Sequence, residues 1–458
     1  MSMSASVTES LLGAWEKTVR SAPEALALID AGTERRFTRA QLDAEGDTWR
    51  DAHGRDLAGR TVVFAEPNGP GWWRVFLGLL KSDAVIVPLD PGEPVAAQRA
   101  TATAIRAAWL WSGEKLHAIA ARGGSRAHDG RRIVKLTSGS TGAPRALAFT
   151  DAQMLADGRQ VGAGMGIRGD DVNFALIPLG HSYGLGNLVV PLLAQGTAMV
   201  CGDSALPHAI SESMARWKPT VFPTVPALLR ALAVADVPPE RLASLRTVIS
   251  AGAPLAPEIA TAFLARFGRH VHSFYGSSET GGITYDRTGE AALSGRSVGR
   301  PLPGVRLALG RGRRFAVESA AVFTLGNRRR TADGFGSHRP ADLGVLTSDG
   351  ELSLVGRAGR VVKIAGRRLD LAEVERTLRQ LPGVRDALVA PHAGRAEALA
   401  ALVATDEPAE TLRAALRERM AGWKIPKRIV TLPAFPLTAR GKTDTARLLA
   451  LLDGGLPL

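Results

Sequence analysis

The chain has little of what defines several protein classes. It contains one cysteine, Cys201, in 458 residues. A single thiol excludes an internal disulfide and a thiolate metal cluster, so we expect a cytoplasmic protein. No run of about 18 uncharged apolar residues is present, and therefore no membrane span is expected. The first residues include Glu9 and Glu16 and lack the apolar core of a signal peptide.

Positive charge is in excess but is not concentrated. The formal net charge is +13. The basic residues are mostly arginine, are spread along the chain and are not interleaved with aromatic residues. The densest run, GNRRR at 326–330, is typical of a solvated turn. Such a diffuse charge is a weak signal for nucleic acid, which we do not expect as a partner, and it favours an acidic small substrate such as a nucleotide or coenzyme A.

The apolar pattern predicts an α/β fold. Apolar residues make up 45% of the chain, and its length indicates two or three domains. Strand patterns such as RTVVFAEPN alternate with helical patterns such as GWWRVFLGLLK, which favours mostly parallel sheets flanked by helices. We expect Trp72 and Trp73 to pack their helix against a sheet. Short antiparallel strands are predicted from about residue 295, and a small α+β block after residue 360.

One loop is rich in glycine and hydroxyl groups. The sequence LTSGSTGAPR, at 136–145, lies between the apolar runs 133–136 and 146–149, which predicts strand, loop, strand. Glycines allow backbone N–H groups to point at one anion. Ser138, Ser140 and Thr141 add donors, and Arg145 adds a fixed positive charge. A polyphosphate-binding loop and a solvated surface loop both have this composition.

Five further motifs follow in order along the chain. They are PLGHSYGLG at 178–186, SAGAPL at 250–255, YGSSETGG at 275–282, ADLG with SDGELSLVGR within 341–357, and PLTARGKTD at 436–444. Together with the loop they resemble the adenylate-forming superfamily of acyl-CoA synthetases, adenylation domains and luciferases, most closely acyl- or aryl-CoA synthetases. The resemblance covers nearly the whole chain. It implies a large N-terminal domain with a small antiparallel barrel-like part, a hinge and a small mobile C-terminal domain, at residues 1–356, 357–360 and 361–458.

The resemblance implies an ATP site. The loop would bind the β- and γ-phosphates, Tyr275 would stack on adenine, and Asp342 would bind the ribose. The full implied set is Thr137, Ser138, Gly139, Ser140, Thr141, Gly142, Arg145, Gly252, Ala253, Pro254, Phe274, Tyr275, Gly276, Ser278, Asp342 and Arg357. Two features depart from the family pattern: Arg145 replaces a common lysine, and Pro340 and Ala341 precede Asp342 where relatives usually have Thr-Gly.

The resemblance also implies the catalytic groups. Glu279 would be the Mg²⁺ ligand and Lys442 the catalytic lysine, which stabilises charge at the α-phosphate. His181 would border the acid pocket together with Gly180 and Ser182, and we expect Gly180, which replaces a common aromatic residue, to widen that pocket. This segment contains no carboxylate for an α-ammonium group. An amino-acid substrate is therefore disfavoured, because its charge would be buried unpaired.

The acceptor implied by the resemblance is a thiol. ATP and Mg²⁺ would serve the first step, and coenzyme A or an acyl carrier protein would receive the acid in the second. Gly359 would be the hinge, and Lys363 and Gly366 would border the path of the pantetheine arm. Two alternatives stay open: the same adenylation with an amine or alcohol acceptor, and a catalytically silent nucleotide-binding regulator.

Overall fold

The computed structural model of the chain divides into two units. It describes residues 9–119, 130–138, 144–324, 331, 334–357, 361–364, 366–392, 395–436 and 445–452. The first unit comprises Met1–Pro91, Arg106–Leu136 and Ala146–Ala358, and the second comprises Gly92–Ile105, Thr137–Arg145 and Gly359–Leu458. The division after Ala358 falls inside the predicted hinge at 357–360. Nothing in the sequence pattern predicts that two segments before residue 146 group with the C-terminal part.

Several helices begin at capping residues or at prolines. The helices Arg39–His53 and Asp151–Met165 each start with a capping box, formed by Thr38 with Gln41 and by Thr150 with Gln153. A π-helical turn, Leu185–Val189, joins the short helix Ser182–Gly184 to the helix Val190–Gln195. The described helices are α1 (Leu11–Ser21), α2 (Arg39–His53), α3 (Pro70–Lys81), α4 (Val95–Ala104), α5 (Asp151–Met165), α6 (Ser182–Gly184), α7 (Val190–Gln195), α8 (Pro207–Trp217), α9 (Pro226–Val234), α10 (Pro257–Phe267), α11 (Glu290–Ser294), α12 (Leu371–Arg379), α13 (Ala409–Arg417) and α14 (Thr445–Leu452).

The described strands belong to six sheets. In chain order they are β1 (Leu26–Asp30), β2 (Arg36–Thr38), β3 (Thr61–Phe64), β4 (Val85–Pro88), β5 (Trp109–Ser112), β6 (Lys115–Ala118), β7 (Arg131–Ser138), β8 (Pro144–Thr150), β9 (Val172–Ala175), β10 (Ala198–Cys201), β11 (Val221–Thr224), β12 (Thr247–Ser250), β13 (Val271–Ser277), β14 (Gly281–Tyr285), β15 (Arg300–Pro301), β16 (Arg306–Leu309), β17 (Phe315–Ser319), β18 (Gly336–His338), β19 (Asp342–Leu346), β20 (Leu352–Arg357), β21 (Val361–Ile364), β22 (Arg367–Asp370), β23 (Asp386–Pro391), β24 (Leu399–Ala404) and β25 (Arg428–Leu432).

A nine-stranded sheet of the first unit has a parallel interior. Its strand order is β15-β14-β13-β12-β11-β9-β10-β1-β2. The neighbours from β13 to β1 are parallel, whereas β14, β15 and β2 are antiparallel to the strands they join. The prediction of mostly parallel strands is confirmed. Because β9, β11, β12 and β13 run in the same direction, the segments that follow them leave the sheet at the same edge.

A second, six-stranded sheet has the order β6-β5-β3-β4-β7-β8. Trp72 and Trp73 of α3 are 1% and 0% exposed. The ring of Trp72 lies 5.6 Å from that of Phe64 on β3. The predicted packing of this helix against a sheet is therefore confirmed, and it buries large aromatic area that stabilises the first unit.

The antiparallel part of the first unit is small. It consists of the sheet β16-β17-β18 and the ribbon β19-β20. The antiparallel strands expected after residue 295 are present, but within the described residues they do not close into a barrel. The ribbon brings Asp342 opposite Arg357.

The second unit has an apolar core of its own. Its sheet has the order β23-β24-β25, and every residue of β24 is buried. The apolar core that contains Leu399, Ala401 and Val403 of β24 also includes Leu369, Val374, Leu378 and Leu412. The predicted small α+β block is thus confirmed. Of the helices in the described part of the chain, none combines the length and the hydropathy that a bilayer crossing needs.

Candidate nucleotide and acid site

Three motif segments of the first unit follow the carboxyl ends of parallel strands. The segment with His181 follows β9, residues 251–254 follow β12, and the turn with Glu279 follows β13. Ligands of open α/β sheets bind outside these strand ends. The topology therefore brings motifs that are far apart in the sequence to one edge of the sheet.

Residues 251–254 present backbone and little side-chain bulk. Gly252 has a φ of +88°, in the left-handed region that favours glycine. Ala253 is half-buried and Pro254 is exposed. Just before them, Ser250 of β12 is in register with Ser273 of β13. A flat ring such as a purine could approach this backbone closely, and the role of Gly252, Ala253 and Pro254 in the ATP site stays a prediction.

Tyr275 and Asp342 are in direct contact although 67 residues separate them. The Tyr275 hydroxyl donates to Oδ2 of Asp342 at 2.8 Å. Tyr275 is 4% exposed, and Asp342 faces Arg357 across the β19-β20 ribbon. Asp342, predicted for the ribose, and Tyr275, predicted for adenine, thus lie together, and Arg357 of the predicted ATP set is opposite Asp342. The other predicted residues of this side lie on β13 or directly after it: Phe274, Gly276 and Ser278.

Glu279 lies in the tight turn between β13 and β14. Its side chain is buried, and its backbone oxygen accepts a hydrogen bond from Phe323 N at 2.8 Å. The hydroxyls of Ser277 and Thr280 are 3.0 Å apart and close the turn. Within the described residues, no group of three or more His, Cys, Asp or Glu side chains could hold a metal ion. A single carboxylate still suits Mg²⁺, which usually takes one or two protein carboxylates together with substrate phosphates and water.

Asn68 holds the backbone segment that leads from β9 to His181. Its side-chain nitrogen donates to the backbone oxygens of Ala175 and Ile177 at 3.2 and 2.8 Å, and its Oδ1 accepts from Leu179 N at 3.0 Å. These three hydrogen bonds hold the chain between β9 and His181 in one conformation. The sequence indicates Asn68 only as the end of a strand, because its partners lie more than 100 residues away.

Asp90 is a carboxylate that the sequence motifs do not reveal. Its Oδ2 lies 3.7 Å from Nε2 of His181, and it follows the carboxyl end of β4. The segment with His181 contains no carboxylate of its own, but the fold supplies one beside it. The sequence argument against α-amino acids is therefore incomplete. The sequence did contain a signal for Asp90, because a carboxylate that follows a parallel strand lies at the edge of the sheet where ligands bind.

Gly180 does not widen a pocket. A Cβ at this position would lie 2.8 Å from Cβ of Pro88 and 3.4 Å from the backbone oxygen of Leu89. The space that the missing side chain leaves is thus taken by the last residue of β4 and the residue after it, and that expectation is wrong. Ser182 begins α6 and is half-buried.

Several predicted residues lie outside the described part of the chain: Gly139, Ser140, Thr141, Gly142, Gly359 and Lys442. Thr137 and Ser138 end β7, and Arg145 is exposed on β8. Lys363 and Gly366 belong to the β21-β22 hairpin of the second unit, where Gly366 has a φ of +77°. The roles of all these residues stay predictions.

Comparison with known proteins identifies the family. The sequence profile of the AMP-binding enzyme matches residues 125–311, and that of the AMP-binding enzyme C-terminal domain matches residues 373–442. Together the two matches span more than half of the chain. The chain belongs to the AMP-binding, or adenylate-forming, enzyme family. In this AMP-binding enzyme, the first match contains the loop and Glu279, and the second ends at Lys442. Asp342 and Arg357 lie between the matches, so their assignment depends on motif spacing and on the contact with Tyr275.

Relatives of known activity are distant. Benzoate–CoA ligase of Thauera aromatica is 30% identical over 339 residues, which span 68% of this chain and 64% of that enzyme, just under two thirds of its length. Feruloyl-CoA synthase of an Amycolatopsis species is 27% identical over an alignment that spans 94% of this chain and 97% of that one. The amide bond synthetase McbA of Marinactinospora thermotolerans has a TM-score of 0.79 at 24% identity, covering 96% of this chain and 99% of the other. That likeness shows the fold.

Proposed function

We propose that the protein activates a carboxylic acid with ATP and transfers it to a thiol. The acid's carboxylate oxygen attacks the α-phosphorus, the bond to pyrophosphate breaks, and an acyl-adenylate forms. The sulfur of coenzyme A or of a carrier-protein phosphopantetheine then attacks the carbonyl carbon and AMP leaves. The observation that carries the proposal is the Tyr275–Asp342 contact, which joins two motif residues in a unit that also contains Glu279 and His181.

The proposed chemistry is electrostatic. Both reactants are anions, and negative charge grows on the phosphoryl oxygens in the transition state. Lys442 would stabilise that charge, and Tyr275 would orient Asp342 for the ribose hydroxyls. Glu279 would hold Mg²⁺, which neutralises phosphate charge when bound. His181 would position the acid at the end of β9.

An aromatic acid is the first substrate class to test. The relatives named for benzoate and feruloyl groups support it, as does the pair Tyr183 and Phe274, whose rings lie 5.7 Å apart close to the His181 segment. The carboxylate of Asp90 beside His181 adds α-amino acids and amino-substituted aromatic acids, because an ammonium group would find a partner there. An amine acceptor in place of the thiol is the alternative outcome of the same test.

The first prediction concerns acid activation and Lys442. ATP–pyrophosphate exchange with a panel of aromatic, aliphatic and amino acids should reveal at least one substrate. Lys442→Ala should lower that exchange about a hundredfold or more, because one preorganised charge is lost from the transition state. Mass analysis of products with coenzyme A, a carrier protein or an amine then identifies the acceptor.

Lys427→Ala is the matched control, since Lys427 is an exposed lysine of the same unit. It should exchange pyrophosphate like the parent protein. If none of the acids in the panel supports pyrophosphate exchange, the proposed function is contradicted. Near-normal exchange by Lys442→Ala would contradict the role of Lys442.

A further inference from the structure

Both sheets of the first unit contribute to the segment that contains His181. This segment follows β9 of the nine-stranded sheet, whereas Asn68 follows β3 and Asp90 follows β4 of the six-stranded sheet. The strands β3 and β4 are parallel to each other, as are β9 and β10. Residues at the carboxyl ends of strands from two different sheets are therefore in contact at one place of the same unit.

Gly180 allows β4 to end directly against the His181 segment. A Cβ at position 180 would lie 2.8 Å from the Cβ of Pro88, the last residue of β4. Pro88 is buried and its ring is rigid, so a larger residue at 180 would push the end of β4 away. Asp90, two residues after Pro88, would move with it. The missing side chain of Gly180 thus has a result that pocket width does not describe, because it lets Asp90 lie beside His181.

The Asp90 carboxylate faces one nitrogen of the His181 ring. Its Oδ2 lies 3.7 Å from Nε2, which is within ion-pair distance when the ring is protonated. The side chain of Asp90 is 10% exposed, whereas that of His181 is 32% exposed. The carboxylate is largely covered, and the ring is the part of the pair that a bound acid can reach. This difference favours an action of Asp90 through the ring over a direct contact with the substrate.

A carboxylate in this place restricts the imidazole. The ring can turn about χ2 and can carry its proton on either nitrogen. Without a proton, Nε2 would present its lone pair to the carboxylate, so Asp90 favours the ring orientation and the tautomer with a proton on Nε2. Asn68 already holds the backbone that leads to His181. Backbone and ring are thus both ordered before an acid binds, which lowers the entropy lost on binding.

We propose that Asp90 is a positioning residue that sets the orientation and the tautomer of the His181 ring in the wall of the acid site, and that Gly180 admits the end of β4 for this purpose. The inference rests on the proposed function, because it takes His181 as a residue of the acid site. It requires that the effect of Asp90 vanish when the imidazole is absent. A pair that only stabilised the fold would change the melting temperature and leave acid binding unchanged.

The first measurement is a double-mutant cycle on the KM for the acid in ATP–pyrophosphate exchange. Asp90→Ala should raise that KM about three- to tenfold, because an unrestrained ring must be ordered on binding, and should leave the KM for ATP unchanged. Asp90→Asn keeps an oxygen that can face Nε2 and should recover most of the loss. In a His181→Ala background, Asp90→Ala should have no further effect.

Gly180→Ala tests the geometric requirement. It keeps both members of the pair but displaces the end of β4, so it should raise the KM for the acid as Asp90→Ala does, and the two effects should not add. Gly422→Ala and Asp56→Asn are the matched controls, because a Cβ on Gly422 would meet no atom within 4 Å and Asp56 is exposed. Both should leave the KM for the acid unchanged. Thermal unfolding checks that each variant is folded.

The second measurement needs no substrate. Nuclear magnetic resonance of protein labelled with ¹⁵N-histidine reports which ring nitrogen carries the proton. At about pH 8, where a histidine side chain is usually neutral, the parent should carry the His181 proton on Nε2, and Asp90→Ala should distribute it over both nitrogens. The spectrum of His181→Ala assigns the signal among the nine histidines.

The role of Asp90 and the proposed function can fail separately. An unchanged tautomer in Asp90→Ala, or a full effect of Asp90→Ala in the His181→Ala background, overturns the inference while pyrophosphate exchange keeps the proposed function. A KM change confined to acids with an amino group would make Asp90 a ligand of the substrate's ammonium and would also overturn the inference. If His181→Ala leaves the KM for every acid unchanged, the ring is not part of the acid site and the inference falls. If no acid supports exchange, the proposed function fails and the role at an acid site falls with it, whatever the tautomer.

Discussion

At the scale of single residues, the Tyr275 hydroxyl offers the cleanest test of the nucleotide site. It donates to Asp342 at 2.8 Å, and Tyr275→Phe removes that donor with little change in shape. Hydrogen bonds to charged groups contribute about 1.5–3 kcal/mol, so we expect the KM for ATP to rise about tenfold with the KM for the acid little changed. Steady-state kinetics with each substrate varied in turn checks this.

Tyr285→Phe is the control for that substitution, because Tyr285 is equally buried at 4% exposure and lies on the neighbouring strand. It should leave the KM for ATP unchanged. Equal effects of both substitutions would show that Asp342 does not depend on the Tyr275 hydroxyl.

The residue types of the site could be predicted, but their surroundings could not. Motif spacing selected Tyr275 and Asp342, whose roles stay predictions, whereas the contact between them depends on how the β19-β20 ribbon is placed. Lys135 lies in a run that is otherwise apolar, and the strand it predicts is correct. Its partner Asp157, whose Oδ2 lies 3.7 Å from the Lys135 Nζ, is on another element, so nothing local marks the pair as charged and buried. Asp90 was missed although it follows the end of β4, because its neighbour His181 is 91 residues away along the chain.

At the scale of elements, Asp171 ties three strands together at the edge opposite the site. It stands just before β9, and its Oδ1 accepts from the Thr220 hydroxyl, before β11, at 2.8 Å. Its Oδ2 accepts from Arg168 N at 2.8 Å, and the guanidinium of Arg246, before β12, donates to both oxygens. Burial alone would raise the pKa of Asp171, but these hydrogen bonds outweigh it and lower the pKa below the usual value.

This shift predicts a pH-dependent contribution to stability. Because the pKa is lower in the folded state, the contribution is complete above the unfolded pKa of about 4 and is lost as pH falls through the folded value. Asp171→Asn should therefore lower the free energy of unfolding by about 1–3 kcal/mol at pH 7, and the difference from the parent should shrink below about pH 4. Urea unfolding between pH 7 and pH 3 measures it.

Asp170→Asn is the matched control, because the neighbouring Asp170 is 79% exposed. It should change stability by less than about 0.5 kcal/mol. If the free energy of unfolding of Asp171→Asn differs from that of the parent by the same amount down to pH 3, the pKa of Asp171 is not lowered in the folded state.

Elements with a clear period were predictable, and their pairing was not. The patterns around β3 and α3 each indicate the element that the structure contains. The order of the nine-stranded sheet depends on contacts between distant segments, such as Leu28 of β1 with Met199 of β10. Hydrophobic period describes one strand at a time and contains no information about which strand lies beside it.

At the scale of the whole molecule, the proposed half-reactions need different surroundings. Lys442 must reach the α-phosphate for adenylation, whereas the thiol needs that space in the second step. Gly359→Pro fixes φ near −65° and should restrict the proposed hinge to one arrangement. Thioester formation should then slow at least tenfold more than adenylation, as a hinge must absorb a large change of φ and ψ. Single-turnover kinetics of each step measures the two rates.

Gly359→Ala is the comparison, because alanine keeps both φ and ψ free to rotate, and it should retain most of both rates. Equal losses in the two steps for Gly359→Pro, or none in either, would exclude Gly359 as the pivot.

The change of sequence pattern near residue 360 lies close to the division after Ala358, but the sequence did not indicate the extent of the second unit. Lys424 helps to explain why residues 92–105 belong to the second unit. Its Nζ bonds to Glu93 at 2.6 Å and to Glu373 at 3.1 Å, which ties a segment before α4 to the C-terminal block. Burial acts to lower the pKa of Lys424, but the two carboxylates outweigh it and raise the pKa, so the ammonium stays charged. An ion pair across 331 residues leaves no trace in local sequence pattern.

The single cysteine makes the chain ready for site-specific dye labelling. Cys201 is 2% exposed on β10, and burial raises the pKa of its thiol. Because maleimide reacts with exposed thiolate, the native cysteine need not be removed. Cysteines introduced at exposed positions such as Ser348 in the first unit and Glu418 in the second would take up donor and acceptor fluorophores. Energy transfer between them would test whether the proposed hinge motion takes place during turnover, in a protein that is otherwise native.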